Sequence, residues 1–238
     1  MKLGVVMPAY NAARQIEAVL DRVAGLVTFG LHEVIVVDDG SHDATARLVR
    51  ARQARDGRLR LLERTKNGGY GAAMKDGLAL ARESEPDVVA CIHADGQYAP
   101  EVLPDLIEQL FERGLDLVQG SRIAAGTALR GGMPLYKYIG NALLNRIENH
   151  TLELSLTDYH SGYLVYGPRA LGLPTSNLSD SFDFDLEVIA SAQAHGLSVG
   201  EAPIPTHYGD EVSHLNPLTY GLRVLRVMWN YRRGQYAP

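Results

Sequence analysis

Cysteine and long apolar runs are both scarce in this 238-residue chain, and each scarcity excludes something. The one cysteine, Cys91, allows no disulfide within the chain, which points to a reducing compartment. It lies inside the apolar run Asp87-Val88-Val89-Ala90-Cys91-Ile92, where burial would raise its thiol pKa and disfavour nucleophilic chemistry. No run of about eighteen apolar residues occurs, so no membrane-spanning helix is expected. Pro8 and Asn11 interrupt the first apolar run, against a signal peptide. The expected location is cytoplasmic, at most peripheral on the inner face of a membrane. Excess positive charge is also missing: 23 Lys and Arg against 28 Asp and Glu give a net charge of -5, which argues against nucleic acid as a partner. No internal repeat, low-complexity tract or clear linker is present.

What is abundant is apolar sequence in short, punctuated runs. With 46% hydrophobic and 21% charged residues the chain can bury a full core. Strands are expected at 3–7, 33–37, 58–62, 88–92 and 115–119, with helices between them at about 12–26, 43–55, 71–83 and 100–113. Pro100 suits a helix start. This alternation predicts an α/β protein with a mainly parallel sheet covered on both faces, its functional edge at the carboxyl ends of the strands. After Gly120 the rhythm changes. A Gly- and Ala-rich loop at 124–133 precedes a helix at about 134–152, a short strand at 163–166, a helix at 184–195 and a strand at 198–202. Pro203 and Pro205 then lead into the polar segment 206–216. The last helix, 218–231, places Leu222, Leu225, Val227 and Trp229 beside Arg223 and Arg226, with Arg232 and Arg233 just beyond.

Three strand ends carry polar residues that would converge. The first ends in Pro8-Ala9-Tyr10-Asn11, where Tyr10 could pack on a flat base. The second ends in Asp38-Asp39-Gly40-Ser41, where Asp39 could accept a base N–H; a turn with Asp43 as helix N-cap is the plainer reading. Two adjacent acids at a buried strand end nevertheless repel unless a cation or an N–H donor meets them. The fourth strand ends in His93-Ala94-Asp95-Gly96-Gln97, which offers a carboxylate and a carboxamide as hard ligands. One or two carboxylates plus phosphate oxygens suffice for Mg²⁺ or Mn²⁺. Lys66-Asn67-Gly68-Gly69-Tyr70-Gly71 is either a phosphate-holding helix entry or an ordinary loop and helix start. It fits neither the dinucleotide-binding nor the P-loop fingerprint.

Together with Gly120-Ser121-Arg122, Ser161-Gly162-Tyr163 and 208–215, these segments resemble the ordered motifs of family 2 inverting glycosyltransferases with the GT-A fold. The subgroup resembled includes dolichol-phosphate mannosyltransferase and bacterial polyprenyl-phosphate sugar transferases. The resemblance implies a Rossmann-like nucleotide-diphospho-sugar transferase. Residues 1–216 would be the catalytic domain, with 1–120 on the nucleotide-sugar side and 121–216 on the acceptor side. Residues 217–238 would be a C-terminal amphipathic helix. It assigns Pro8, Ala9, Tyr10, Asp38, Asp39, Lys66, Gly69 and Ala94 to the nucleotide. Asp95 and Gln97 would hold Mg²⁺ or Mn²⁺, with His93 either a third ligand or a hydrogen-bonded strand-end residue. Arg122 would meet phosphate, and Ser161, Gly162, Tyr163, His207 and His214 would shape the acceptor side. Asp95, Arg122 and Asp185 are the expected catalytic residues; Asp183 and Glu187 are further carboxylates, and at least one of Asp183, Asp185 and Glu187 is expected to be purely a cap.

Two positions depart from the family pattern. His93 stands where an acid is usual, and Ala12 where Glu often follows Asn. The implied activity is transfer from a UDP- or GDP-sugar to a polyprenyl phosphate. A glycan hydroxyl acceptor, and a nucleotide-sugar-binding protein without turnover, are the alternatives. The last helix, with Trp229 among arginines, either lies in a membrane interface or packs on the core.

Overall fold

The computed structural model describes residues 1–124, 126, 134–205 and 217–238. Its centre is a seven-stranded sheet in the order β3-β2-β1-β4-β6-β5-β7 among the described residues. The strands are β1 (Leu3–Ala9), β2 (Leu31–Asp38), β3 (Leu59–Glu63), β4 (Val88–Cys91), β5 (Leu117–Ser121), β6 (Leu164–Tyr166) and β7 (Val199–Pro203). Helices α1 (Ile16–Ala24), α2 (Thr45–Gln53), α3 (Tyr70–Arg82) and α4 (Leu103–Glu112) connect the first five, as the periodicity predicts. After them come α5 (Leu135–Leu152), α6 (Pro168–Leu171), α7 (Phe184–Ala194) and α8 (Pro217–Arg232). The short α6 is not expected from the sequence. The expected first and fourth helices each split, with 3₁₀ turns at Gly25–Phe29 and Pro100–Val102.

Both faces of the sheet are covered, which is why β1, β2 and β4 read as continuous apolar runs rather than alternating ones. Val6, Ile35, Val37, Val89 and Cys91 face α3, α7 and α8, while Val5, Met7, Val34, Val36 and Ala90 face α1 and α4. Close approach of α3 depends on Gly77, where an added Cβ would lie 2.4 Å from Val6 Cγ1 and 3.1 Å from Val37 Cγ2. Gly77→Ala would gain about 1 kcal/mol of helix propensity. Overpacking outweighs that gain, so a net loss of about 1–2 kcal/mol is expected, read as a lower urea midpoint at unchanged slope.

One strand runs against the rest, and it builds the site. β6 is antiparallel to both β4 and β5, pairing Val89 with Tyr166 and Gln119 with Leu164. The chain crosses back over the carboxyl edge after α5 and enters β6 from that side. Ser161, Gly162 and Tyr163 are therefore brought to the same rim as the ends of β4 and β5.

Candidate active site

The ends of β1 and β2 are stitched into one platform. Asn11 donates its N–H to Ser41 Oγ at 2.8 Å and accepts the His42 N–H at Oδ1 at 2.9 Å. Tyr10 is 47% exposed, and His42 is the one ring that meets it among the described residues, edge-on, so its face is open to a ligand. Pro8 and Ala9 lie just before it, at the end of β1. Asp38 accepts from Ser41 through both the backbone N–H and the hydroxyl. Gly40, at φ 71°, leaves no room for a side chain against Lys66 and Asn67.

The adjacent-acid problem is solved by a residue that sequence reasoning missed. Asp39 Oδ1 accepts from Arg64 Nη1 at 2.6 Å and from the Gly68 N–H at 2.9 Å, and its Oδ2 accepts the Gly69 N–H at 2.8 Å. Arg64 follows β3, so only the parallel pairing of β2 with β3 brings it beside Asp39. The Gly-rich turn is thus organised by Asp39. Its Gly68 and Gly69 N–H groups are donated to that carboxylate, and those of Gly71 and Ala72 to the Asp180 carbonyl. This corrects the phosphate-cradle reading of those amides; Lys66 is exposed beside the turn. Asp43 differs from expectation too. α2 begins at Thr45, with Ala44 at the cap position, and the Asp43 carboxylate receives the Thr45 and Ala13 N–H groups.

At the end of β4, Ala94 is buried and Asp95 is half-buried. Asp95 Oδ1 accepts the Gln97 N–H at 3.0 Å. Gln97 stays partly accessible beside it. No group of three His, Cys, Asp or Glu side chains converges to hold a metal among the described residues. The donor set therefore fits a cation that takes most of its ligands from a diphosphate and water.

His93 is drawn inward. Its ring packs edge-on against Tyr70 and Tyr98, and Nε2 lies 3.3 Å from Tyr70 Oη. Burial pushes its imidazole below the ordinary value, favouring the neutral form. Tyr70 in turn donates to Asp185 Oδ2 at 2.8 Å. Asp185 is buried, its Oδ1 has no hydrogen-bond partner among the described residues, and burial raises its pKa to about 7. Gly162 covers this chain closely, since a Cβ there would meet His93 Nε2 at 2.4 Å. Tyr98 accepts the Gly162 N–H at 2.8 Å, and Tyr163, fully buried, donates to the Ala99 carbonyl at 3.2 Å. The carbonyl of buried Ser161 accepts from Gln119 Nε2.

Arg122 follows β5 and makes a two-pronged pair with Asp158: Nε to Oδ2 at 2.7 Å and Nη2 to Oδ1 at 2.9 Å. Asp158 is fully buried. Burial alone would raise its pKa, but the charge and hydrogen bonds of Arg122 outweigh it and hold the carboxylate below its usual range. Arg122 is near enough to His93 and Tyr98 for its charge to bear on both. The ends of β4 and β5 therefore share one site.

The other carboxylates of α7 point elsewhere. Asp183 accepts from Ser179 Oγ and pairs with Arg223, and Glu187 accepts from the Ser179 N–H and Tyr236 Oη. Asp183 sits at the cap position of α7, yet its carboxylate makes no cap hydrogen bond. His207 and His214 lie outside the described residues.

Similarity to known proteins agrees with this geometry. The chain matches Glycosyl transferase family 2 over residues 4–171 and belongs to that family. It adopts the GT-A fold and is a glycosyltransferase. An undecaprenyl-phosphate mannosyltransferase of Micrococcus luteus is 32% identical over 209 residues, which cover 86% of this chain and 83% of that protein. A UDP-N-acetylglucosamine–dolichyl-phosphate N-acetylglucosaminyltransferase of Methanococcus voltae is 28% identical over 217 residues, covering 86% and 85%. Among solved structures, glucosyl-3-phosphoglycerate synthase from Mycobacterium tuberculosis, in complex with Mn²⁺, UDP and phosphoglyceric acid, superposes with a TM-score of 0.69 at 21% identity. That match covers 97% of this chain and 78% of that one, and it speaks to the fold.

Proposed function

We propose that this protein transfers a sugar, with inversion, from a nucleotide-diphosphate sugar to a polyprenyl phosphate. One observation carries the reading: the Asp95 turn and Arg122 both lie close enough to the same pair of rings, His93 and Tyr98, for their charges to bear on them. An anionic leaving group held at the Asp95 turn and a phosphate acceptor held by Arg122 would meet beside those rings. Pro8, Ala9, Tyr10, Asp38 and Asp39 form the base platform, with Lys66, Gly69 and Ala94 at its border. Asp95 and Gln97 would hold Mg²⁺ or Mn²⁺, which when bound would neutralise charge on the departing nucleoside diphosphate. Arg122 presents a permanently charged planar donor to phosphate oxygens. Ser161, Gly162, Tyr163, His207 and His214 form the acceptor side.

The acceptor oxygen of a phosphate is already anionic at neutral pH and needs no general base. That suits a site where Asp158 is paired with Arg122 and Asp185 is buried behind Tyr70. We assign Asp185 to positioning, acting through Tyr70 on His93, rather than to proton abstraction. A glycan hydroxyl acceptor would require a base, and Asp185 is the carboxylate it would have to recruit.

A membrane lipid must also be reached. No helix among the described residues is long and apolar enough to cross a membrane. α8 buries Val224, Val227 and Met228 but exposes Leu222 (68%) and Trp229 (62%), while α5 exposes Leu135, Ile139 and Leu143. With Arg146, Arg226, Arg232 and Arg233 around them, these side chains suit the interface of an anionic leaflet. The test is incubation of labelled UDP- and GDP-sugars with vesicles containing a polyprenyl phosphate, with and without Mn²⁺. Label transferred to the vesicle lipid, dependent on metal and on one of the two nucleotides, is expected; water-soluble products alone would sink the proposal.

A further inference from the structure

Glu148, on α5, is fully buried, and neither carboxyl oxygen has a hydrogen-bond partner among the described residues. A buried polar group without a partner is destabilising and calls for an explanation. Packing does not supply one. α5 already clamps the segment before β6 through its neighbours: Asn145 donates to the Thr157 carbonyl, and Asn149 both donates to and accepts from Leu156 and takes the Tyr159 hydroxyl. An apolar residue at 148 would serve that clamp equally well.

The basic group facing Glu148 is His160, whose Nε2 lies 3.4 Å from Oε2, close but not closed into a hydrogen bond. His160 Nδ1 is 3.0 Å from Tyr220 Oη on α8, and the two rings meet edge-on at 5.3 Å. The backbone N–H of His160 donates to Asp158 Oδ1 at 3.0 Å, the same oxygen that receives Arg122 Nη2. One imidazole thus joins α5 and α8 to the Arg122–Asp158 pair. Burial pushes its pKa down to about 4 and pushes that of Glu148 well up, which favours an uncharged pair across the gap.

We infer that Glu148, His160 and Tyr220 are positioning residues that hold Asp158, and through it Arg122, in register for the acceptor phosphate. The inference rests on the proposed role of Arg122 and goes beyond it by naming what fixes that arginine. In the mechanism this implies, the loose Glu148–His160 contact tightens when a phosphate draws on Arg122, as apo contacts of this kind commonly do.

The test uses the full chain with a short-chain polyprenyl phosphate in detergent, comparing Glu148→Leu, Glu148→Gln and Tyr220→Phe. Leu and Phe are expected to raise the acceptor KM about tenfold, the scale of one hydrogen bond, while the Kd for nucleoside diphosphate stays unchanged. Gln, which keeps a donor and an acceptor, should recover most of the affinity. Glu148→Leu should also raise Tm by about 2–4 °C by removing a buried carboxyl, so stability and acceptor use move in opposite directions. Should Glu148→Leu fail to fold, Tyr220→Phe decides alone. An unchanged acceptor KM in Leu and Phe, or an equal loss of nucleotide affinity, would overturn the inference. Arg122→Lys separates the two readings: if it leaves the acceptor KM unchanged, the role of Arg122 itself fails. If it raises KM where Leu and Phe do not, only the relay fails.

Discussion

Asp95→Asn is expected to lower turnover by about a thousandfold, because losing a carboxylate that holds a catalytic divalent cation removes several kcal/mol of transition-state stabilisation. The fold should be untouched. The hydrogen bond from the Gln97 N–H to Asp95 Oδ1 is one that an asparagine carbonyl can accept equally well. What disappears is the negative charge on the open side of the turn. Two measurements check this together: turnover with the vesicle acceptor, and the thermal shift produced by a nucleoside diphosphate with and without Mn²⁺. Wild-type protein should show a shift that metal enlarges. The variant should keep the metal-independent part, which comes from Tyr10 and Asp39, and lose the rest. Turnover within about tenfold of wild type would mean that Asp95 is not the metal ligand. Because His93 turns Nε2 toward Tyr70, it gives the variant no ready substitute at that nitrogen.

The ends of β1, β2 and β4 were legible in the chain because the chemistry there is local. Pro8 to Asn11, Asp38 to Ser41 and His93 to Gln97 each sit directly after an apolar run, and a strand end fixes where its side chains emerge. The organisation around those residues was not legible. Arg64 is 25 positions from Asp39, and Tyr70 is 115 from Asp185, so neither contact leaves any trace in periodicity. The position of β6 was equally hidden. A three-residue strand carries too little pattern to reveal that it inserts between β4 and β5 in the opposite direction. Yet that insertion sets Gly162 against His93 and brings Asp158 to Arg122. The roles of the three α7 carboxylates were also hidden: Asp183 occupies the cap position, while the folded chain uses its carboxylate to hold Ser179 and Arg223.

Arg122→Ala should damage stability and activity at once, and the two losses can be separated. Asp158 is fully buried, and among the described residues Arg122 supplies three of its four hydrogen bonds, two from the guanidinium and one from the backbone N–H; His160 supplies the fourth. Removing the guanidinium leaves a buried carboxylate without its cation, a change that costs about 3–5 kcal/mol. The pH dependence should invert with it. In wild type the folded-state pKa of Asp158 is depressed, so its contribution is present above the unfolded carboxylate pKa and lost as pH falls through the folded value. Without Arg122, burial is the larger influence and the folded pKa moves above the unfolded one. The stability contribution then is present only at low pH and is lost as pH rises through the new value. The variant's deficit in urea midpoint should accordingly be large at pH 8 and shrink toward pH 4. Arg122→Met combined with Asp158→Asn removes both charges and should recover most of the stability at pH 8, since the penalty comes from the unpaired ion rather than from lost packing. Acceptor use should not recover with it, because no cation then faces the lipid phosphate. If stability and acceptor KM return together in the double variant, Arg122 serves only to neutralise Asp158, and the phosphate must be held elsewhere.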